Sequence, residues 1–243
     1  MTGQAKINDV ARFLPILVYH HCPSDFEFQL NYLKELGYNL VHLNDVVEYL
    51  IEPKKMKFPE KRIVLTFDDA YMDFKQAAHL LENNGFKGKA TICVPTGYVS
   101  EDVNIRKFWN QSPIMNWNEL KQLKDDGFEI ISHSVSHANL DDIKDDKEQL
   151  RYEIGCSKRA LKFHPKLKIE NLQFFCFPFG AGWKEKGNSD QRINNVLRDE
   201  GYIGALRAEY KVGEPWDQFC IPRCEPSTIT QLQQLMEGEF SCK

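Results

Sequence analysis

Short apolar runs and helix-patterned segments alternate about seven times along this chain, a pattern that dictates parallel strands joined by helical crossovers. The runs Leu14–Tyr19, Ile63–Leu65 and Phe174–Phe177 are continuously apolar, and Ala90–Val94 is apolar but for Thr91. Strands covered on both faces of a parallel sheet have that composition. Two architectures fit: a closed (β/α) barrel and an open doubly wound sheet. No GxGxxG or GxxxxGK[ST] loop is present, which counts against nucleotide-binding forms of the open sheet. Polar residues collect just after the carboxyl ends of separate strands, where barrel enzymes place their chemistry. No linker, repeat or low-complexity tract divides the 243 residues, so 1–243 reads as one α/β catalytic domain.

Composition narrows the function classes. The chain is 42% hydrophobic and 27% charged, as soluble globular proteins are. Its net charge of −4 gives no basis for a nucleic-acid partner or an anionic membrane surface. No apolar run approaches the ~18 residues of a membrane span. The segment Met1–Lys6 lacks the apolar core of a signal peptide. The seven cysteines are odd in number and form no CxxC pair. Both observations lead us to expect reduced thiols and a cytoplasmic protein. Oligomeric state leaves no trace in the sequence.

The chemistry-bearing residues fall into four clusters. Asp68-Asp69 follows the run Ile63–Leu65 through Thr66-Phe67. Adjacent carboxylates repel unless a cation relieves them. A simpler reading has the pair cap the helix expected from Met72. His133 and His137 follow the next strand but one. In a helical turn, rings four residues apart face one way. Two imidazoles and one carboxylate make a catalytic divalent-metal site with open positions. That assigns Asp69, His133 and His137 as ligands and leaves Asp68 as a base on an attacking water. Ser132, Ser134 and Ser136 stand ready to orient the rings.

His20 ends the first strand on the same face and can donate a proton to a leaving amine; His21 should point away. Pro178-Phe179-Gly180 closes another strand, and the Phe179 N–H suits an oxyanion site. Phe179, Trp183, Phe108 and Trp109 are candidates to stack on a sugar ring, or else ordinary core and loop anchors. With Pro178 and Gly180 they make up the expected substrate wall. Arg223, after the last strand, can steady Asp68, or lie at the surface.

Thr66-Phe67-Asp68-Asp69 together with Ser132-His133-Ser134-Val135-Ser136-His137 resembles the first two motifs of the polysaccharide deacetylases, the NodB-homology or family-4 carbohydrate esterases. The resemblance implies a distorted (β/α)7 barrel and a divalent metal, most often zinc, with cobalt or nickel as alternatives. It implies Asp68 as base, with Asp69, His133 and His137 as ligands. Leu17-Val18-Tyr19-His20, with Phe26, Gln29-Leu30, Leu33 and Gly37-Tyr38, is similar to the poly-β-1,6-N-acetylglucosamine deacetylases. In that subgroup an N-terminal Tyr-His supplies the general acid, which implies His20. Two positions depart from the pattern. Phe175-Cys176-Phe177-Pro178-Phe179-Gly180 lacks the arginine that usually contacts the base, and Ala70 replaces a usual glycine.

The combined expectation is hydrolysis of the N-acetyl group of an amino sugar, with a sugar in glycan assembly, nucleotide- or lipid-linked, as substrate. Two rivals use the same residues. One is a glycan-binding protein that has lost activity on the same barrel. The other is a non-haem Fe(II) oxygenase, since two histidines and a carboxylate also suit iron.

Overall fold

The computed structural model describes residues 14–46, 59–102, 112–180, 190–208 and 218–237, and the backbone alone at 107–108, 183–184 and 188–189. Seven strands form the main sheet: β1 (Ile16–Tyr19), β2 (Asn39–Leu40), β3 (Arg62–Phe67), β4 (Thr91–Val94), β5 (Glu129–Ser132), β6 (Phe174–Cys176) and β7 (Gly204–Leu206). Their order is β1-β3-β4-β5-β6-β7, with β2 on the first residues of β3, and all pairings are parallel. Helices cross between them: α1 (Phe26–Glu35), α2 (Phe74–Asn83), α3 (Trp117–Asp125), α4 (Lys147–Arg151) running on into α5 (Ser157–Phe163), and α6 (Gln191–Asp199). The last helix is α7 (Ile229–Met236).

The continuous apolar runs are the strands, and they are buried along their length. Leu17, Val18, Ile63, Val64, Leu65, Ile92, Cys93 and Phe175 have no exposed surface. Each such Val, Leu, Ile or Phe side chain stabilises the fold by roughly 1.5–3 kcal/mol. Around β1 an aromatic cluster fixes the first helix. Tyr19 stacks on Phe67 at 5.2 Å, and Phe26 meets Phe67 edge-on at 5.7 Å. The buried Tyr19 hydroxyl donates to Gln29 Oε1 at 2.8 Å, satisfying the polar end of the ring.

The sheet curls and is closed by a segment that is not itself a regular strand. Ala205 N donates to Gln218 O and Arg207 N to Ile221 O, both at 2.9 Å. On the opposite edge Val18 N donates to Cys224 O at 2.8 Å, and Cys224 N donates to Ile16 O at 2.9 Å. Residues 218–224 thus join β7 to β1. The sequence marks Gln218–Ile221 as a last strand candidate; the structure forms isolated bridges there, Leu206–Ile221 and Leu17–Cys224, and no regular strand.

Two helix boundaries differ from expectation. The charged, amphipathic pattern of Asp141–Phe163 reads in the sequence as one helix, but the helix begins at Lys147, because Asp146 caps it by accepting from Glu148 N and Gln149 N at 3.0 Å. The helix after Asp68-Asp69 begins only at Phe74, so neither carboxylate caps it. Among the described residues no helix is long and apolar enough to cross a membrane. Trp109 lies outside the described residues, as do the side chains of Phe108 and Trp183.

Candidate metal centre and active site

The site is assembled where strands end. Asp68 N still donates to Tyr19 O at 2.8 Å, continuing the β1–β3 ladder by one residue. The chain then turns left-handed at Asp69 (φ 66°) and Ala70 (φ 53°). Non-glycine residues resist this conformation by about 1–2 kcal/mol each. Among the described residues six non-glycines have positive φ, and five surround this site: Asp69, Ala70, Ser134, His137 and Phe179. Strain gathered in one place is a signature of function held against local preference.

Asp68 is 3% exposed and Arg223 fully buried. Nη1 and Nη2 of Arg223 donate to the two Asp68 oxygens at 2.7 Å each. Nη1 also donates to Thr66 Oγ1 at 2.9 Å, and Nε donates to Arg207 O at 3.0 Å. This forked, fully anchored geometry excludes the surface position left open by the sequence. Burial alone would raise the Asp68 carboxyl. The Arg223 guanidinium and the His133 ring overcome it and hold the carboxyl far below the usual range.

Asp69 Oδ1 lies 3.2 Å from Nε2 of His137 and 3.6 Å from Nε2 of His133. All three residues are buried. His133 Nδ1 faces the Cys176 carbonyl at 2.9 Å. A carbonyl only accepts, so Nδ1 carries a proton, and in its neutral form the ring turns the Nε2 lone pair toward Asp69. Oδ1 is buried without a well-formed hydrogen bond. Acceptors converging in this way need either an added proton or a cation. Burial opposes charge on His133, yet Cys176 and Asp68 push its pKa up to about 10. Burial lowers that of His137. Zinc bonds of about 2.0–2.2 Å in a tetrahedron set ligand atoms about 3.3–3.6 Å apart, close to the spacings here. The donor set therefore fits a divalent cation.

The two rings converge through a loop, not a helical turn. Ser134 (φ 65°) and His137 (φ 57°) are both left-handed. No flanking serine is seen to bond a ring directly. Ser132 Oγ pairs with Ser157 Oγ, Ser136 Oγ donates to Glu153 Oε1, and Ser134 Oγ has no partner among the described residues. A backbone carbonyl does that work for His133, which side-chain patterns do not reveal.

A cavity of about 370 Å³ opens over these groups, with His20, His21, Tyr71 and Phe179 on its walls. His20 Nδ1 donates to Glu225 Oε1 at 3.0 Å, a partner the sequence did not disclose. That bond raises the His20 pKa. His21 also faces the cavity, contrary to the alternation expected. Because β1 stops at Tyr19, strand geometry no longer applies. His21 stacks on Tyr71 at 4.4 Å and bonds Asp73 Oδ2 at 2.9 Å. Phe179 (φ 57°) meets His137 edge-on at 4.7 Å and is 57% exposed. Cys176 Sγ lies 3.6 Å from Asp68 Oδ1, on the strand that leads to Pro178.

Comparison with known proteins gives the family and the fold. The polysaccharide deacetylase family model matches residues 55–203, more than half of the chain. The chain belongs to the polysaccharide deacetylase family. A relative described as a putative polysaccharide deacetylase, YxkH of Bacillus subtilis (strain 168), is 28% identical over 168 residues. That match spans 64% of this chain and 54% of YxkH, about half its length. IcaB from Ammonifex degensii superposes with a TM-score of 0.71 at 21% identity, covering 92% of this chain and 95% of that one. The Streptococcus pyogenes deacetylase PplD, in complex with acetate, gives 0.69 at 20% identity, covering 92% and 97%. At these identities the likeness shows the fold, a NodB-type (β/α) barrel of parallel strands, as the sequence predicted.

Proposed function

We propose that this polysaccharide deacetylase family member hydrolyses the N-acetyl group of an amino sugar and depends on a divalent metal. The observation that carries the reading is the convergence of Asp69 Oδ1 with two imidazole Nε2 atoms, beside a second carboxylate already committed to an arginine. Asp69, His133 and His137 would hold the cation, with zinc the first choice and cobalt or nickel as substitutes. When bound, it supplies Lewis acidity that lets water act as a nucleophile near neutral pH.

The protein's own groups divide the remaining work. Asp68, kept ionised by Arg223, accepts the proton of the attacking water. The Phe179 N–H donates to the oxyanion that develops on the acyl oxygen. His20, held by Glu225, gives a proton to the departing nitrogen. Phe179 and the His21–Tyr71 stack flank the cavity and suit the apolar faces of one sugar ring. No disulfide joins cysteines among the described residues, and the reading favours a reducing compartment and an intracellular glycan precursor as substrate.

The test is an acetate-release screen with zinc-, cobalt- and nickel-loaded protein. It spans N-acetylated monosaccharides, sugar nucleotides and short oligosaccharides, with Asp68→Asn as control. Acetate from one class with wild type alone is the expected result. Glycan binding without acetate from any metal-loaded form would replace this reading with a binding protein. Oxygen consumption dependent on Fe(II) would replace it with an oxygenase.

A further inference from the structure

Glu153 is a carboxylate on the core face of a helix. It is 2% exposed, level with Leu150, Ile154 and Ser157. It sits in a π-helical turn, Tyr152–Cys156, that joins α4 to α5. Wide turns of this kind concentrate at functional sites. Its carboxylate points at the loop between the two imidazoles. Oε2 accepts from Val135 N at 3.0 Å and from Ser136 N at 2.9 Å, and Oε1 accepts from Ser136 Oγ at 2.7 Å.

The same loop is gripped from its other side. Thr96 N donates to Ser134 O at 3.1 Å and Gly97 N to Val135 O at 2.8 Å. A Cβ at Gly97 would stand 2.7 Å from Val135 O, so only glycine allows this approach. At the loop's entry His133 N donates to Val94 O at 3.0 Å. Two left-handed residues, Ser134 and His137, must be kept in place for the rings to converge. The backbone alone does not favour that shape.

We propose that Glu153 is a positioning residue for the candidate metal centre: it holds loop 133–137 in the conformation that aims both imidazoles at Asp69. The inference rests on the metal reading above. It assigns a function to a buried acid that makes no contact with the cation or substrate. Groups that orient metal ligands from behind typically change affinity by about 10–100-fold when removed.

The test titrates the full metal-stripped chain with Co(II), whose visible bands report ligand geometry, and follows melting of the metal-free form in parallel. Glu153→Ala is expected to weaken Co(II) binding about 10–100-fold and to alter the bands. Glu153→Gln, which keeps the shape and one acceptor oxygen, should fall between it and wild type. A Glu153→Ala protein that melts lower yet binds Co(II) with wild-type affinity and bands overturns the proposal, since its role is then structural only. If Glu153→Ala does not fold, Glu153→Gln and Ser136→Ala decide. Weaker binding in both supports the proposal, and unchanged affinity and bands in either overturn it. A wild-type chain that binds no divalent ion overturns the metal reading itself, and the two failures are thereby distinguished.

Discussion

Arg223 grips Asp68 across 155 residues of sequence, with both nitrogen–oxygen distances at 2.7 Å. The guanidinium comes from the segment that closes the barrel between β7 and β1. Barrel closure and the charge state of the candidate base are therefore one structural event. Replacing Arg223 with Met leaves a buried, unpaired carboxylate, and we expect a loss of about 3–5 kcal/mol at neutral pH. In wild type the depressed Asp68 carboxyl contributes stability above its unfolded value, lost as pH falls. In the variant burial dominates and the carboxyl is raised instead, so acid relieves it. The stability gap should thus be widest near pH 7 and shrink as pH falls toward about 4. Urea unfolding of both proteins at several pH values measures this. A gap that does not depend on pH contradicts the assignment.

Asp68→Asn removes the proton acceptor and leaves all three candidate ligands in place. Acetate release should drop by about 10²–10⁴. Bound metal, read by elemental analysis of the folded protein, should stay at the wild-type level. Loss of metal together with activity would make Asp68 a ligand instead of a base.

Metal binding should also appear as stability. A cation that binds only the folded chain at 100 times its Kd adds about 2.7 kcal/mol. Thermal unfolding with and without zinc should show the corresponding rise in Tm for wild type. His133→Ala should abolish it, and a chelator should reverse it in wild type. A zinc-dependent rise that survives in His133→Ala places the ion elsewhere.

On the proposed mechanism, Glu225 should set where the activity falls on the alkaline side. His20 must be protonated to serve as the acid, so turnover declines as pH rises through its pKa. The Glu225 hydrogen bond is the largest cause raising that pKa. Glu225→Gln removes it, so the alkaline limb of kcat/KM should move to lower pH while the acid limb stays. An unmoved alkaline limb would free His20 of this role.

Much of this was legible in the sequence, for reasons that differ from residue to residue. The parallel sheet was legible because buried parallel strands are apolar throughout and announce themselves as Ile63–Leu65 and Phe174–Phe177 do. The two acids and two histidines were legible because each pair ends a strand. The way the histidines converge was not. Left-handed Ser134 and His137 carry no marker in residue type, unlike a glycine. Glu153 left a faint one, an acid at a core-facing position among Leu150, Ile154 and Leu161. The Glu225–His20 contact spans 205 residues and no local pattern encodes it. Arg223 was identifiable as a candidate, while its burial depended on how residues 218–224 close the sheet.

The proposed function gives Phe179 two roles that one substitution can separate. Its N–H is placed by a left-handed backbone (φ 57°), and its ring stands exposed against His137 at the cavity wall. Phe179→Ala would remove the ring but keep the strain. Phe179→Gly removes the ring and adopts the same backbone conformation without penalty, so the N–H remains where it is. If the ring stacks on sugar, its loss should weaken binding by about 0.5–1.5 kcal/mol, a rise in KM of roughly 2–13-fold. Turnover at saturation should change little, because the oxyanion donor is intact. Folded stability should hold or rise, since a strained non-glycine position has been relieved. Steady-state kinetics on the substrate identified by acetate release read this split directly. A fall in kcat with KM unchanged would instead mean that the ring acts through His137, as packing on a ligand rather than as a wall for the sugar.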